Sequence, residues 1–216
     1  MGRNGWKATT FPNRGNSKHA DRLVYVACQI MLLRTPRLLI RNFTATDLEA
    51  FLAYRNDPEI AKYQGWSLPY PREKAEELIR EMQDPRTHKI GEWLQLALTL
   101  ESTRELIGDT AFVILGDDAR QASVGFTIAS AHQKKGYATE AMTALLDYLF
   151  ADLGLHRVIA DCDTENTSSW RTLEKLGFRR EAHFVESLLV GEEYTSEFHY
   201  GLLQREWRAR AAFRNC

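Results

Sequence analysis

Two lysines, a glycine and a helix-forming run stand together in HQKKGYATEAM, residues 132–142. Such a turn suits an anion. A helix that begins near Tyr137 leaves its first N–H groups without intrahelical partners, and the aligned peptide dipoles place partial positive charge there. Gly136 lets a phosphate approach the backbone closely, and Lys134 and Lys135 add mobile charge at the rim. The same residues would also serve as an ordinary solvated helix start. Further along, Asn166 and Ser169 lie one helical turn apart and share a face. Candidate proton acceptors at strand ends are Glu92, Asp109, His183 and Glu186, which the sequence does not rank.

The elements that must position these groups alternate in type. RLLIRNF (37–43) reads as a strand, and Thr44 with Asp47 caps a helix in LEAFLAYRN. NDPEIAKYQGW reads as turn, short helix and turn, and Pro71 opens a helix through PREKAEELIREMQ. EWLQLALTL, ELIGDTAFVIL and ASVGFTIA are strand runs. From Tyr137, the positions Ala138, Met142, Leu145, Leu149 and Leu153 step by three or four until Gly154, which predicts an amphipathic helix with a stop. HRVIADCD is a strand, NTSSWRTLEKLGF a helix closed by Gly177, and AHFVESLLV and YTSEFHYGLLQ are final strands joined through GEE. This order predicts an α/β fold with a mixed sheet and helices on its faces. The turn 132–138 then follows a strand's carboxyl end, where such sheets bind ligands.

At 216 residues the chain suits one buried domain, and its composition, 44% hydrophobic and 26% charged, is that of an ordinary globular protein. Lys+Arg 28 against Asp+Glu 29 leaves a net charge of -1, so there is no basic field to recruit nucleic acid. Cys28, Cys162 and Cys216 are odd in number and scattered, without metal-ligand spacing, which suits a reducing cytoplasm and predicts no bound metal. Residues 1–30 read as a flexible extension, 31–208 as the domain and 209–216 as a tail. The apolar run LVYVACQIMLL is too short to span a bilayer. It is a poor secretory leader too, because Gln29 interrupts it and Arg34 and Arg37 follow without a small-residue cleavage site.

The QKKGYA segment resembles the pyrophosphate loop of the GNAT superfamily of acetyl-CoA-dependent N-acetyltransferases, Gln/Arg-x-x-Gly-x-Gly/Ala, at Gln133, Gly136 and Ala138. NTSSWRTLEKLGF is similar to that family's Asn-x-x-Ala/Ser helix ending in Glu-Lys-Leu-Gly-Phe. TPRLLIR, NDPEI and LIGDTAF resemble its Rim-like branch of ribosomal-protein alanine acetyltransferases. The resemblance spans about residues 33–207. It implies a mostly antiparallel twisted sheet of about six to seven strands, splayed in the middle. It also implies that backbone groups of Phe126, Thr127 and Ile128 bind the pantetheine arm and thioester oxygen. The loop Gln133, Lys134, Lys135, Gly136, Tyr137, Ala138, Thr139 would take the diphosphate through its amides, and Asn166 would contact pantetheine.

Many family members place a tyrosine four residues after the Ala/Ser position to protonate the departing thiolate; this chain has Leu173 there. Ser169 is then the candidate leaving-group acid, with a capping or packing hydroxyl as the alternative. Glu140, in the first helical turn, reads as structural. The implied activity is direct transfer of acetyl, in a ternary complex, to a protein N-terminal α-amine or a small-molecule amine, by a monomer or homodimer. A CoA-binding module without catalysis is the competing reading. A nucleotide-binding protein is not supported, since neither Gly-x-x-x-x-Gly-Lys-Ser/Thr nor Gly-x-Gly-x-x-Gly is present.

Overall fold

The computed structural model of the chain describes residues 32–84, 89–116 and 118–214. The extension expected over 1–30, with Cys28, and Cys216 at the other end lie outside these residues. The chain runs β1 Leu32–Arg34, β2 Leu38–Arg41, a 3-10 turn Ala45–Asp47, α1 Leu48–Arg55, α2 Pro58–Ala61 and α3 Arg72–Met82. Strands β3 Leu94–Leu100, β4 Leu106–Ile114 and β5 Gln121–Ile128 follow, then α4 Tyr137–Asp147, which continues through a π-helical turn, Tyr148–Asp152. The chain then passes through β6 Arg157–Asp163, α5 Thr167–Leu176, β7 Arg179–Val190, β8 Glu193–Leu203 and α6 Gln204–Arg214.

All eight strands form one sheet in the order β1-β2-β3-β4-β5-β6-β8-β7. It exceeds the expected six to seven because Leu32–Arg34, left unassigned in the sequence, pairs with β2 at the edge. Every pairing is antiparallel except β5 with β6. These two parallel strands are joined by α4, the long crossover such a pair requires. A second correction falls at the C-terminus. Helix α6 runs through position 209, where a tail was expected, and its Trp207 is only 2% exposed. The Trp207 indole donates to Asp147 Oδ1 at 2.7 Å, which seats α6 on the end of α4.

Helices cover both faces of the sheet, as two neighbouring residues of β4 make plain. Asp109 accepts from Tyr54 on α1, whereas Thr110 donates to Met142 Sδ on α4. Successive strand residues face opposite ways, so α1 and α4 lie on opposite faces. The apolar step of α4 is what seats it: Ala141, Met142, Leu145, Leu146 and Leu149 are all fully buried. They pack in the same core as Leu96, Leu98 and Ile107 of the sheet. Burying each of the leucine, isoleucine and methionine side chains contributes about 1.5–3 kcal/mol.

Candidate active site

Strand β5 is paired along its length with β4, from Gly108↔Ile128 to Ile114↔Ala122. Its parallel ladder with β6 ends at Ser123↔Ile159, although β5 continues to Ile128 and β6 to Asp163. The strands therefore part, and the expected splay lies over Val124–Ile128. Backbone direction sorts the three residues named from the sequence. A Cβ on Gly108 would lie 2.1 Å from the Thr127 carbonyl oxygen, so that carbonyl faces β4. By strand alternation, Phe126 and Ile128 turn their backbone groups to the open side. Thr127 thus departs from its expected backbone role.

The basic turn sits at the end of this strand. Gln133 Nε2 donates to the Ile128 carbonyl at 3.0 Å, stapling the loop to β5. Gly136 caps α4 at φ +83, a left-handed conformation that suits glycine. The first intrahelical bond of the turn runs from Glu140 N–H to Gly136 O at 3.1 Å. The amides of Tyr137, Ala138 and Thr139 therefore stand ahead of the helical ladder. Lys134, at φ +61, and Lys135 are exposed at the rim. A Cβ at Gly136 would meet only Arg37 Nη2, at 3.4 Å. An open glycine, three unladdered amides and two flanking cations fit a diphosphate.

Arg37 and Thr35 belong to this arrangement and were not found from sequence. Arg37 donates through Nη1 to the Lys135 carbonyl at 3.0 Å, and its guanidinium lies 4.6 Å from the Tyr137 ring centroid. Glu140 holds them in place. Its carboxylate accepts from Thr35 Oγ1 at 2.6 Å, Arg37 N–H at 3.0 Å and Arg37 Nε at 2.6 Å. Burial works to raise the Glu140 pKa, but these bonds outweigh it and hold the group below the usual carboxylate range. The structural reading of Glu140 stands.

On β6 and α5 the splay meets a second set of groups. Asn166 caps α5 by accepting from Ser169 N–H at 3.2 Å and from the Ser168 hydroxyl at 3.0 Å. Since Ser169 receives that cap through its N–H, its hydroxyl is not the capping group. Leu173 is 2% exposed and belongs to the core. Cys162, on β6, has its thiol pushed up to about 12, chiefly by burial and then by Asp161 and Asp163. A thiol so held is a poor nucleophile.

The opposite side of β4 and β5 opens into a pocket lined by Arg55, Trp66, Tyr70, Lys74, Trp93 and Asp109, with Gly125, Phe126 and Thr127 as its sheet wall. Asp109 is 3% exposed; its Oδ2 accepts from Tyr54 OH at 2.5 Å and pairs with Arg55 Nη2 at 3.3 Å. Burial, with the Asp109 carboxylate beside it, drives the Tyr54 pKa well above its ordinary value, so the phenol keeps its proton and donates. Of the four carboxyl and imidazole groups named from sequence, only Asp109 lines this pocket. Glu92 is exposed and accepts from Lys89 N–H, while His183 and Glu186 lie exposed on β7. Asp161 was missed altogether. Burial pushes its carboxyl up to about 6, His199 opposite pulls it back, and Glu197 adds to the rise.

A mixed sheet parted beside a glycine-capped helix, with a lined pocket across the parting strand, can hold two reactants on either side of one strand. Residues 37–179 match the family described as Acetyltransferase (GNAT) domain, and the chain belongs to that family. The uncharacterized N-acetyltransferase YnaD of Bacillus subtilis is 33% identical over 82% of this chain and 99% of its own length. With this and further curated N-acetyltransferases as relatives, the chain is an N-acetyltransferase. The spermidine N-acetyltransferase from Vibrio cholerae, solved in complex with CoA and spermine, shares the fold at a TM-score of 0.69. It is 24% identical over 81% of this chain and 99% of that one. The [ribosomal protein uS5]-alanine N-acetyltransferase of Escherichia coli is 26% identical over 56% of this chain and 62% of its own length. Among the described residues no helix is long and apolar enough to cross a membrane.

Proposed function

We propose that the chain moves acetyl from acetyl-CoA to a primary amine that enters the pocket between α1, α3 and the β4–β5 wall. The observation that carries this is the shared wall: β5 faces the splay with Phe126 and Ile128 and closes the pocket with Gly125, Phe126 and Thr127. A thioester laid along the open side and an amine in the pocket would meet across one strand, the positioning that aminolysis needs. The CoA complex of the Vibrio cholerae enzyme supports the choice of coenzyme.

Each group then has a task. The amides of Tyr137, Ala138 and Thr139, with Gln133, Lys134, Lys135 and Gly136 shaping the loop, hold the diphosphate. The open-side amides of Phe126 and Ile128 donate to pantetheine and to the thioester oxygen. Asn166, whose carboxamide oxygen serves the helix cap, offers its NH2 to pantetheine. Asp109 draws in the acceptor amine and takes its proton, and Ser169 donates to the departing thiolate. Acetyl-CoA supplies the activated acyl group. The Rim-like acceptor, a protein α-amine, is supported by the uS5 relative, whereas a small amine is supported by the aromatic lining of the pocket at Trp66, Tyr70 and Trp93.

Thiol release from acetyl-CoA, measured over a panel of amines and N-terminal peptides, tests the assignment. Wild-type protein should release thiol with at least one acceptor, and Asp109→Asn should lower kcat/KM about a hundredfold or more while CoA still binds. Release by the variant at the wild-type rate would remove Asp109 from the reaction.

A further inference from the structure

Arg55 is unusual in this fold because it is a buried cation with spare hydrogen-bonding capacity. It is 6% exposed, and its Nε has no hydrogen-bond partner. A buried charged donor left unmade is costly, and because Arg55 also lines the pocket its positive charge is placed to draw an anionic group there. The side chain is built into place. Its guanidinium carbon lies 3.9 Å from the Trp66 ring centroid and 5.6 Å from that of Tyr70. Trp66 is pinned in turn, its indole N–H donating to the Arg55 carbonyl at 3.0 Å. The Asp109 carboxylate meets only one end of the guanidinium, at 3.3 Å through Nη2.

A second cation stands on the same rim. Lys74, from α3, lines the pocket and lies 5.3 Å from the Tyr70 ring centroid, and no carboxylate among the described residues pairs with it. The pocket therefore presents two cations and one carboxylate, with Arg55 and Asp109 side by side. A polyamine would meet net positive charge from Arg55 and Lys74 against Asp109. A neutral amine would leave Lys74 unanswered. An acceptor with ammonium and carboxylate on neighbouring atoms matches the set, the first toward Asp109 and the second toward Arg55 and Lys74. The rings of Trp66, Tyr70 and Trp93 then receive an apolar side chain.

Resting on the acetyl-transfer reading above, we infer that the acceptor is a small zwitterionic amine of the α-amino acid class, held by its carboxylate on Arg55 and Lys74. The charge neighbourhood does the selecting: a site built around a buried charged partner rejects analogues that leave it unpaired far more strongly than an apolar pocket rejects a missing methylene.

The test uses the full chain with acetyl-CoA and follows thiol release with the common α-amino acids, each beside its own amide, and with spermidine and neutral peptides. At least one free amino acid should exceed its amide by tenfold or more in kcat/KM. In Lys74→Glu and in Lys74→Ala that ratio should fall, through KM for the amino acid, with the charge reversal falling further. Lys74 is half-exposed on α3, so these variants do not rely on replacing buried Arg55. Amides, peptides or spermidine used as well as or better than every free amino acid would overturn the inference and leave acetyl transfer standing. A ratio unmoved in both Lys74 variants would also overturn it. No thiol release from any amine would overturn the acetyl-transfer reading and this inference together.

Discussion

Gly136 at φ +83 and Lys134 at its exposed rim would divide the proposed anion-binding work in a way that can be measured. If backbone amides hold the diphosphate, Gly136→Val must force a β-branched residue into a left-handed conformation and cover the amides besides. Such strain costs about 1–3 kcal/mol, so CoA affinity by calorimetry should fall about tenfold or more, against less than about threefold for Lys134→Ala. Equal losses would mean that side-chain charge does the holding. Ser169→Ala should lower turnover about tenfold or more, with CoA affinity nearly intact, since Asn166 caps α5 through the Ser169 N–H and not its hydroxyl. Asp161 carries a further residue-scale consequence. Its pKa is raised from 3.8 to about 6, so ionisation costs the folded state more than the unfolded one. That cost is absent below about pH 4, grows as pH rises, and is complete above about 6. Asp161→Asn should therefore raise the melting temperature at pH 7, by about 1–2 kcal/mol of stability given its partial hydration, and the gain should vanish near pH 4.

Among elements, the joint between the β1–β2 turn and α4 sets the loop's shape. Glu140 gathers Thr35 and Arg37 from that turn, and Arg37 in turn reaches the Lys135 carbonyl. The folded-state pKa of Glu140 is lowered, so its contribution is present above the unfolded value of about 4.5 and is lost as pH falls through the lower folded value. Glu140→Gln should lower the melting temperature at neutral pH, and the deficit should shrink in acid as pH falls from the unfolded value through the lower folded one. Because Arg37 is half-exposed, the effect is expected at about 1 kcal/mol. The same variant should weaken CoA binding only modestly, since the amides of Tyr137 to Thr139 remain. A pH-independent deficit would assign the loss to packing instead of charge.

Across the whole molecule, the sheet is two halves joined at the β5–β6 ladder, which covers only Gln121–Ser123. Coenzyme lodged in the splay would touch both halves, from β5 and α4 on one side to α5 on the other. Ligand that binds only the folded state stabilises it by about 2.7 kcal/mol at a hundred times its dissociation constant. Saturating CoA should raise the melting temperature accordingly, and amide exchange should slow at Phe126, Ile128 and the first turn of α4 together. Protection confined to one half would contradict a ligand that bridges them.

What was legible in the sequence was whatever is encoded locally. The three-and-four step from Met142 to Leu149, the Gly136 start and the Gly177 stop depend on neighbours within a turn or two, and the structure reproduces each. The structural part of Glu140 was legible for the same reason, because a carboxylate in a first helical turn suits the dipole whatever lies beyond it. Contacts between distant segments had no local signature. Leu32–Arg34 became a strand only because β2 offered it an edge. Thr127 turned away from the open side because Gly108, on the neighbouring strand, leaves room for its carbonyl. The choice of Asp109 over Glu92, His183 and Glu186 needed Tyr54 and Arg55 brought to it from α1. Arg55, enclosed by aromatic rings with an unfilled edge, reads in sequence as one more charge in a helix. The sequence by itself determined the helices and the glycine-started turn before α4, since backbone hydrogen bonding and apolar spacing act at short range. Only the tertiary structure decided which charged groups meet in the pocket, since burial and pairing depend on residues far apart in the chain.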